Sequence, residues 1–209
     1  MRIAKEGFRF ILPCGVLAVL FFGIGWWGMA LPFLVAALAF SFFFRDPNRT
    51  IPQDEKALVA PADGKVIKID PASSHPLLPS PVTCVSIFLS LFDVHITRSP
   101  LSGTVEKIDY RPGQFFPAYK DEASLKNESN SMFLRGEKAD LFLKQIVGVA
   151  ARRIKCYVQE NQKIARGQKI GLMYFGSRVE IYCSSSVRVK VDPGQKVKGG
   201  ETIIAEVKT

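Results

Sequence analysis

Between Phe8 and Phe44 the chain carries one charge, Arg9, and is otherwise almost wholly apolar. Trp26-Trp27-Gly28, with Pro32 close behind, splits this run into two stretches of roughly 17–20 residues, close to what about 30 Å of hydrocarbon demands at 1.5 Å per residue. The pattern predicts an N-terminal hydrophobic helical hairpin with a tryptophan-bearing tip, over residues 1–49 with its flanks. A secretory signal is the rival reading, since Arg2 and Lys5 precede the first apolar run. The second apolar run and the lack of a clear small-residue cleavage site argue against it. A re-entrant or interfacial hairpin stays open.

After Arg45-Asp46-Pro47-Asn48-Arg49 the periodicity changes from long apolar runs to short ones broken by Gly, Pro and Asp. Leu58–Ile69 reads as strand, turn at Ala62-Asp63-Gly64, and strand. Residues 71–81 read as a Pro-rich loop, and Val82–Phe92 as a buried strand. Leu101–Tyr110 contains Ser-Gly-Thr-Val, much like the earlier Ala-Asp-Gly-Lys-Val. Gly113–Asn130 is polar and predicted to be looped with a short helix. Ser131–Leu134 and Leu141–Val147 form a hairpin closed by Gly136-Glu137-Lys138, and Gly148–Ile154 a short helical turn.

An internal repeat follows. Asn161-Gln162-Lys163-Ile164-Ala165-Arg166-Gly167-Gln168-Lys169-Ile170 echoes the segment from Pro193 to Ile203. Each copy is a turn, an apolar residue, a basic residue, another Gly turn and a strand. The pattern is similar to the half-barrel units of biotinyl and lipoyl carrier domains. The predicted fold class is therefore mainly β, a barrel-sandwich over residues 50–209.

The formal net charge of +9 favours an anionic partner, nucleic acid or lipid. No zinc-ribbon, helix-turn-helix or RNP signature supports nucleic acid. Arg2, Lys5 and Arg9 precede the hairpin and Arg45 and Arg49 follow it, so the charge bias places both flanks on the cytoplasmic side of the inner membrane. Cys14, Cys84, Cys156 and Cys183 lack metal-ligand spacing and read as isolated thiols, as a reducing compartment requires, although spacing alone leaves disulfides open.

The chemistry centres on Gly176-Ser177, which interrupts two apolar runs between Leu172 and Tyr182. A glycine leaves its carbonyl unshielded, and the next residue carries a hydroxyl that can reach back to it. Given a base, this is the hardware for an acyl shift. A plain bulge or turn uses the same residues. Only His75 and His95 are available as imidazoles. His75, in the Pro-rich loop, is expected to be exposed; His95 follows a buried strand, where a lone histidine is often structural. Asp63 sits in a Gly turn, where aspartate is common.

Phe-Gly-Ser-Arg-Val-Glu, with Ala-Arg-Arg-Ile and Pro-Ala-Asp-Gly-Lys-Val upstream, resembles the short (archaeal-type) branch of phosphatidylserine decarboxylase from about Phe40 onward. The long branch carries Leu-Gly-Ser-Thr at the pair, and this chain departs from it at two of those four positions. The resemblance implies self-cleavage between 176 and 177. A β chain (1–176) and an α chain (177–209) then stay together as a heterodimer, and Ser177 becomes a covalent pyruvoyl group. It carries Asp63, His95 and Ser177 onto an Asp-His-Ser set in which Asp63 orients His95 and His95 takes the Ser177 proton. It further implies that the pyruvoyl ketone forms a Schiff base with phosphatidylserine in the bilayer and releases phosphatidylethanolamine, with no metal. Arg152, Arg153 and Arg178 are candidates for the substrate's phosphate or carboxylate.

Two other functions fit parts of the pattern. A membrane-anchored barrel-sandwich adaptor or carrier would need sustained heptads or a lysine at the hairpin tip, and neither is present. An ordinary Asp-His-Ser hydrolase would need a Gly-x-Ser-x-Gly elbow, also missing.

Overall fold

A computed structural model describes residues 2–149 and 153–208. The chain divides into two compact units, Met1–Asn48 and Arg49–Thr209.

In the first unit a two-residue strand β1 (Arg2–Ile3) leads through a 3-10 turn into helix α1 (Phe8–Gly23), which turns back into α2 (Trp27–Phe43). The unit closes on β2 (Arg45–Asp46), antiparallel to β1. Gly25, at φ +77°, makes the reversal. Ala18, Ala30 and Ala37 are buried and let the two helices approach, while Val19, Phe22, Leu31 and Leu38 point outward. Small residues inside and large apolar ones outside is the arrangement of helices solvated by lipid. Lys5–Gly23, 19 residues, is long and apolar enough to cross a membrane; Trp27–Phe43 is shorter.

The second unit is mainly β, as expected. Its strands are β3 (Ala57–Val59), β4 (Gly64–Ser73), β5 (Val82–Leu89), β6 (Ile96–Arg98), β7 (Gly103–Arg111), β8 (Ser129–Gly136), β9 (Asp140–Val147) and β10 (Ile154–Cys156). They continue as β11 (Lys163–Ile164), β12 (Lys169–Met173), β13 (Ser177–Ser184), β14 (Val187–Val189), β15 (Lys196–Val197) and β16 (Ile203–Val207), with one short helix α3 (Asp121–Lys126) before β8. Eight strands form one antiparallel sheet in the order β11-β7-β8-β9-β13-β5-β4-β15. Two small sheets, β10-β12-β6 and β14-β16-β3, complete the unit. Val66, Ile87, Leu134, Leu143, Val179 and Ile181 belong to one continuous buried core.

The repeat seen in the sequence is present in the hydrogen bonds. β11 pairs with β7 at Gly103 and Thr104; β15 pairs with β4 at Gly64 and Lys65. Val105 and Val66 occupy matching places, donating to Gln162 and Gln195 and accepting from Asn161 and Gly194. Asn161 and Gly194 both have positive φ, as do Gly167 and Gly200 in the following turns. A side chain at Gly64 or Gly103 would collide with a backbone oxygen of the neighbouring strand, at 2.2 Å and 2.1 Å, so each corner needs a glycine.

Three expectations need correction. β4 runs through Pro71 to Ser73, because the pairing with β5 resumes at Ser73–Val82 after an irregularity that absorbs the proline. β5 ends at Leu89 instead of Phe92, because the Asp93 carboxylate takes the N–H and hydroxyl of Ser90 and turns the chain. Gly148 and Val149 are not helical and β10 starts at Ile154; the rest of that expected turn lies outside the described residues.

Candidate functional site

The edge where β5 and β9 end and β13 begins carries the site. Ser177, the first residue of β13, is paired with Leu89 on one side and Val147 on the other. Strand alternation turns Ser177, Val179 and Ile181 to the core and Arg178, Glu180 and Tyr182 to the other face. Ser177 is fully buried and its Oγ has no hydrogen-bond partner. A buried hydroxyl without a partner costs on the order of 1–3 kcal/mol, so it needs a reason.

The backbone before it is strained. Phe175 has φ +48° and Gly176 φ +72°. Two successive left-handed residues make the hook between β12 and β13, and a bulky aromatic at positive φ is an outlier. A methyl group at Gly176 would meet nothing within 4 Å, so glycine is present there for its φ and not for space.

Gly148 is glycine for the opposite reason. Its N–H donates to the Gly176 carbonyl at 3.1 Å. A Cβ there would lie 2.7 Å from that same oxygen. A backbone donor aimed at an acyl oxygen is how tetrahedral oxyanions are stabilised. Asn127 fixes the approach: its buried amide bonds the carbonyl of Val147 at 2.7 Å and both the N–H and carbonyl of Phe116.

His95 reaches the same peptide from the other side. β6 pairs with β12, and the His95 carbonyl accepts from the Met173 N–H at 3.0 Å. The imidazole is buried. Its Nε2 faces the Gly176 N–H at 3.0 Å, and its Nδ1 faces the Asp93 carbonyl at 3.0 Å. An amide can only donate and a carbonyl can only accept, so the ring is neutral with its proton on Nδ1. The lone pair of Nε2 therefore points at the Gly176–Ser177 segment. Beneath it, Asn130, Gln145 and Thr97 form a buried polar relay, with contacts of 3.1 Å and 2.8 Å, that ties β8 and β9 to β6.

The structure thus brings His95, Gly176 and Ser177 together. Asp63 lies elsewhere: its carboxylate holds Arg49 through both oxygens, at 2.9 Å and 2.7 Å, and accepts from the Gly199 N–H at 2.8 Å. The Asp93 carbonyl faces His95 Nδ1, the place expected from the sequence for Asp63 as the group orienting the ring. The corner of Asp63 meets the strand of the base through the backbone, where the Arg98 N–H donates to the Pro61 carbonyl at 2.7 Å.

Arg178 projects from the face opposite Ser177. Its guanidinium pairs with buried Glu180 at 2.9 Å and bonds the Ser86 hydroxyl and the Lys120 carbonyl. Glu180 also accepts from Ser124 and Tyr182. Arg153 is exposed, and its carbonyl takes the Tyr174 N–H. Arg152 lies outside the described residues. His75, expected in solvent, is half-buried against the Phe142 ring at 3.7 Å. Among the described residues no group of acidic, histidine or cysteine side chains could hold a metal.

Gly148, Asn127 and the Asp93 carbonyl were not anticipated. A glycine after a strand and an asparagine in a polar loop carry no distinctive sequence signal, and a backbone carbonyl carries none at all. The residues present do fit a prosthetic group made from Ser177. A buried, unpartnered hydroxyl, an imidazole nitrogen that accepts the Gly176 N–H and a carbonyl bonded by the Gly148 N–H converge on one peptide link.

Comparison with known proteins identifies the family. The family model described as phosphatidylserine decarboxylase matches residues 36–205. A phosphatidylserine decarboxylase proenzyme of Syntrophus aciditrophicus is 43% identical over 203 residues, covering 96% of this chain and 95% of its own. One from Carboxydothermus hydrogenoformans is 43% identical over 205 residues, covering 98% and 96%. One from Burkholderia pseudomallei is 39% identical over 206 residues, covering 98% and 95%. These likenesses run over nearly the whole chain and favour an enzyme over a non-enzymatic adaptor. The chain belongs to the phosphatidylserine decarboxylase family.

Proposed function

We propose that this protein is a pyruvoyl-dependent phosphatidylserine decarboxylase made as a proenzyme that cuts itself between Gly176 and Ser177. The observation that carries the reading is the buried, unpartnered Ser177 hydroxyl in the residue that follows Gly176, whose N–H donates to Nε2 of His95. His95 exchanges the Gly176 N–H for the Ser177 hydroxyl and takes its proton. Ser177 Oγ adds to the Gly176 carbonyl carbon, and the Gly148 N–H holds the resulting oxyanion. The C–N bond breaks, the amine of residue 177 keeps the proton that His95 returns, and an ester joins Gly176 to the serine oxygen. Loss of the Cα proton of residue 177 expels the Gly176 carboxylate and leaves a dehydroalanine. Water then replaces its nitrogen, which departs as ammonia.

As a pyruvoyl group, residue 177 supplies a ketone that captures the substrate amine and accepts the electrons left by departing carbon dioxide. The Nε2 of His95, already within reach of residue 176, is placed to return a proton to the decarboxylated carbon. We assign Asp63 a supporting part: paired to Arg49 and bonded to the Gly199 N–H, it braces the corner whose Pro61 carbonyl accepts from Arg98, three residues past His95. Arg153 is a candidate for the lipid phosphate, since it is exposed beside Tyr174. Arg178 is a weaker one, because Glu180 already neutralises it.

The two fragments, 1–176 and 177–209, stay joined as a heterodimer, because β13 keeps its ladders to β5 and β9. The hairpin holds the enzyme on an anionic membrane surface. The flanking arginines and lysines place the β unit on the cytoplasmic side of the inner membrane. The test is intact-mass analysis of purified protein with a decarboxylation assay. Two fragments are expected, the smaller blocked at its N-terminus by a ketone. Ser177→Ala should remain one chain and release no carbon dioxide. An active, uncut parent protein would refute the mechanism.

A further inference from the structure

We propose that the sheet edge around Gly176–Ser177 is itself a membrane-docking surface, in which Leu91, Phe92, Tyr119 and Val149 enter the bilayer interface while Lys120 and Arg153 face lipid phosphates. The inference rests on the decarboxylase reading for the identity of the substrate and adds to it a second membrane contact, apart from the hairpin.

Strand register sets the placement. Ser177 lies between Leu89 and Val147, so β5 and β9 both leave the sheet beside it. Two and three residues past Leu89, Leu91 is 52% and Phe92 77% exposed; two residues past Val147, Val149 is 58% exposed. Tyr119, 60% exposed, lies over Phe88 with ring centroids 6.1 Å apart. Phe88 is the partner of Arg178, the residue after the serine. Single exposed apolar residues need no explanation, but Leu91, Phe92 and Val149 follow the two strands that flank the buried serine, and Tyr119 follows Ala118, whose Cβ lies 3.2 Å from a Cβ placed on Gly148, so together they form a patch at this edge.

The tip that bears Leu91 and Phe92 is a built feature. The Asp93 carboxylate accepts from the Ser90 N–H at 2.8 Å and from its hydroxyl at 2.6 Å. The Asp93 N–H returns to the Ser90 carbonyl at 3.0 Å. This turn spends its polar groups internally and presents two large apolar side chains outward. Asp93 is also the residue whose carbonyl holds His95, so the tip and the base share one support.

A bilayer is the occupant that the chemistry favours. The substrate of the proposed reaction keeps its acyl chains in lipid while its headgroup must reach a buried residue. Aromatic and aliphatic side chains bordered by cations are the composition of an interfacial contact. Lys120 and Arg153 are exposed at this edge. Lys120 is adjacent to Tyr119, and the Arg153 carbonyl accepts from the N–H of Tyr174, three residues before Ser177.

The hairpin recruits the protein to lipid whatever the rim does, so binding alone does not test the rim. The full chain carrying Leu91→Ser and Phe92→Ser is compared with its parent on two substrates. One is phosphatidylserine in phosphatidylglycerol-containing vesicles; the other is dihexanoyl phosphatidylserine below its micelle concentration. Self-cleavage should be unchanged. We expect kcat/KM on vesicles to fall tenfold or more, with the soluble substrate within twofold. Phe92→Trp should keep the vesicle rate, and Phe92→Asn is read in the same way if the double variant matures poorly. Equal losses on both substrates, or no loss on vesicles, would overturn the rim. A parent that matures but decarboxylates neither substrate would overturn the activity reading, and the rim with it.

Discussion

The two corners of the β unit are built alike, and the second leads into the Gly176–Ser177 hook. Residues 57–66 with 194–207 form the first; residues 96–105 with 161–173 form the second. Matching bonds cross each corner: Val59 donates to Pro100 where Arg98 donates to Pro61, and Gly200 donates to Ala60 where Gly167 donates to Ser99. Asp63 accepts from the Gly199 N–H as Ser102 accepts from the Arg166 N–H. Ahead of β6 stands His95, and ahead of β3 the matching residue is Lys56. The His95 carbonyl accepts from Met173, the last residue of β12, and the Lys56 carbonyl from Val207, the last of β16. Beyond β12 the chain hooks through Phe175 and Gly176 into β13. The repeat supplies the scaffold, and the proposed chemistry lies where the second corner runs on into that hook.

The sharpest way to break the comparison is to exchange its two ends. His95→Ala should abolish maturation, a loss of at least the 10²–10⁴ that general bases contribute. Lys56→Ala, at the same place in the other corner, should mature at the parent rate. A time course of chain cleavage on denaturing gels reads both. Cleavage by the His95 variant would remove the imidazole from the mechanism. A defect in Lys56→Ala would mean that the position, and not the ring, matters.

Gly148→Ala comes next. The added methyl presses on the Gly176 oxygen and dislodges the one backbone donor aimed at it. Loss of such a donor costs about 10²–10³ in rate. Cleavage of Gly148→Ala at the parent rate would show that the Gly148 N–H has no part in stabilising the oxyanion.

Much of this was legible before any coordinates. The hairpin shows as two apolar runs, and the repeat as matched Gly turns, because φ above zero restricts residue choice strongly. Gly176-Ser177 stood out for the same reason, and the family likeness lifted it above an ordinary bulge. Three kinds of feature were hidden. Arg178 looked like a substrate ligand beside the serine, yet strand alternation turns it to the opposite face, where Glu180 neutralises it. Asp63 looked like the partner of His95. Nothing in the local sequence reveals that Arg49, from the end of the hairpin linker, takes its carboxylate. Gly148 acts through its backbone N–H, and main-chain donors are aimed by tertiary register alone.

Asp63→Ser sharpens the comparison further, since it installs the residue of the other corner. Serine keeps an acceptor for the Gly199 N–H but loses the charge and the Arg49 pair. The variant should fold, and maturation should slow by about tenfold, less than for the loss of the base itself, because the part proposed for Asp63 reaches His95 through the backbone of the corner. Rates equal to the parent's would reduce Asp63 to a turn residue, as Ser102 is.

The smallest effect concerns the histidine that takes no part. Burial against Phe142 and Tyr182, and then the Lys144 charge, hold the His75 imidazole below its usual range. The unfolded chain therefore binds a proton at His75 at a higher pH than the folded one does. Stability rises with pH where the unfolded state holds more protons. The His75 contribution is thus fully present above the ordinary histidine range and is lost as pH falls from there through the folded value. His75→Phe keeps the ring on Phe142 and removes the proton. Its melting temperature should fall less than the parent's between pH 7 and pH 5, and cleavage should be untouched. A parent and variant with parallel pH profiles would show that this imidazole titrates as freely folded as unfolded.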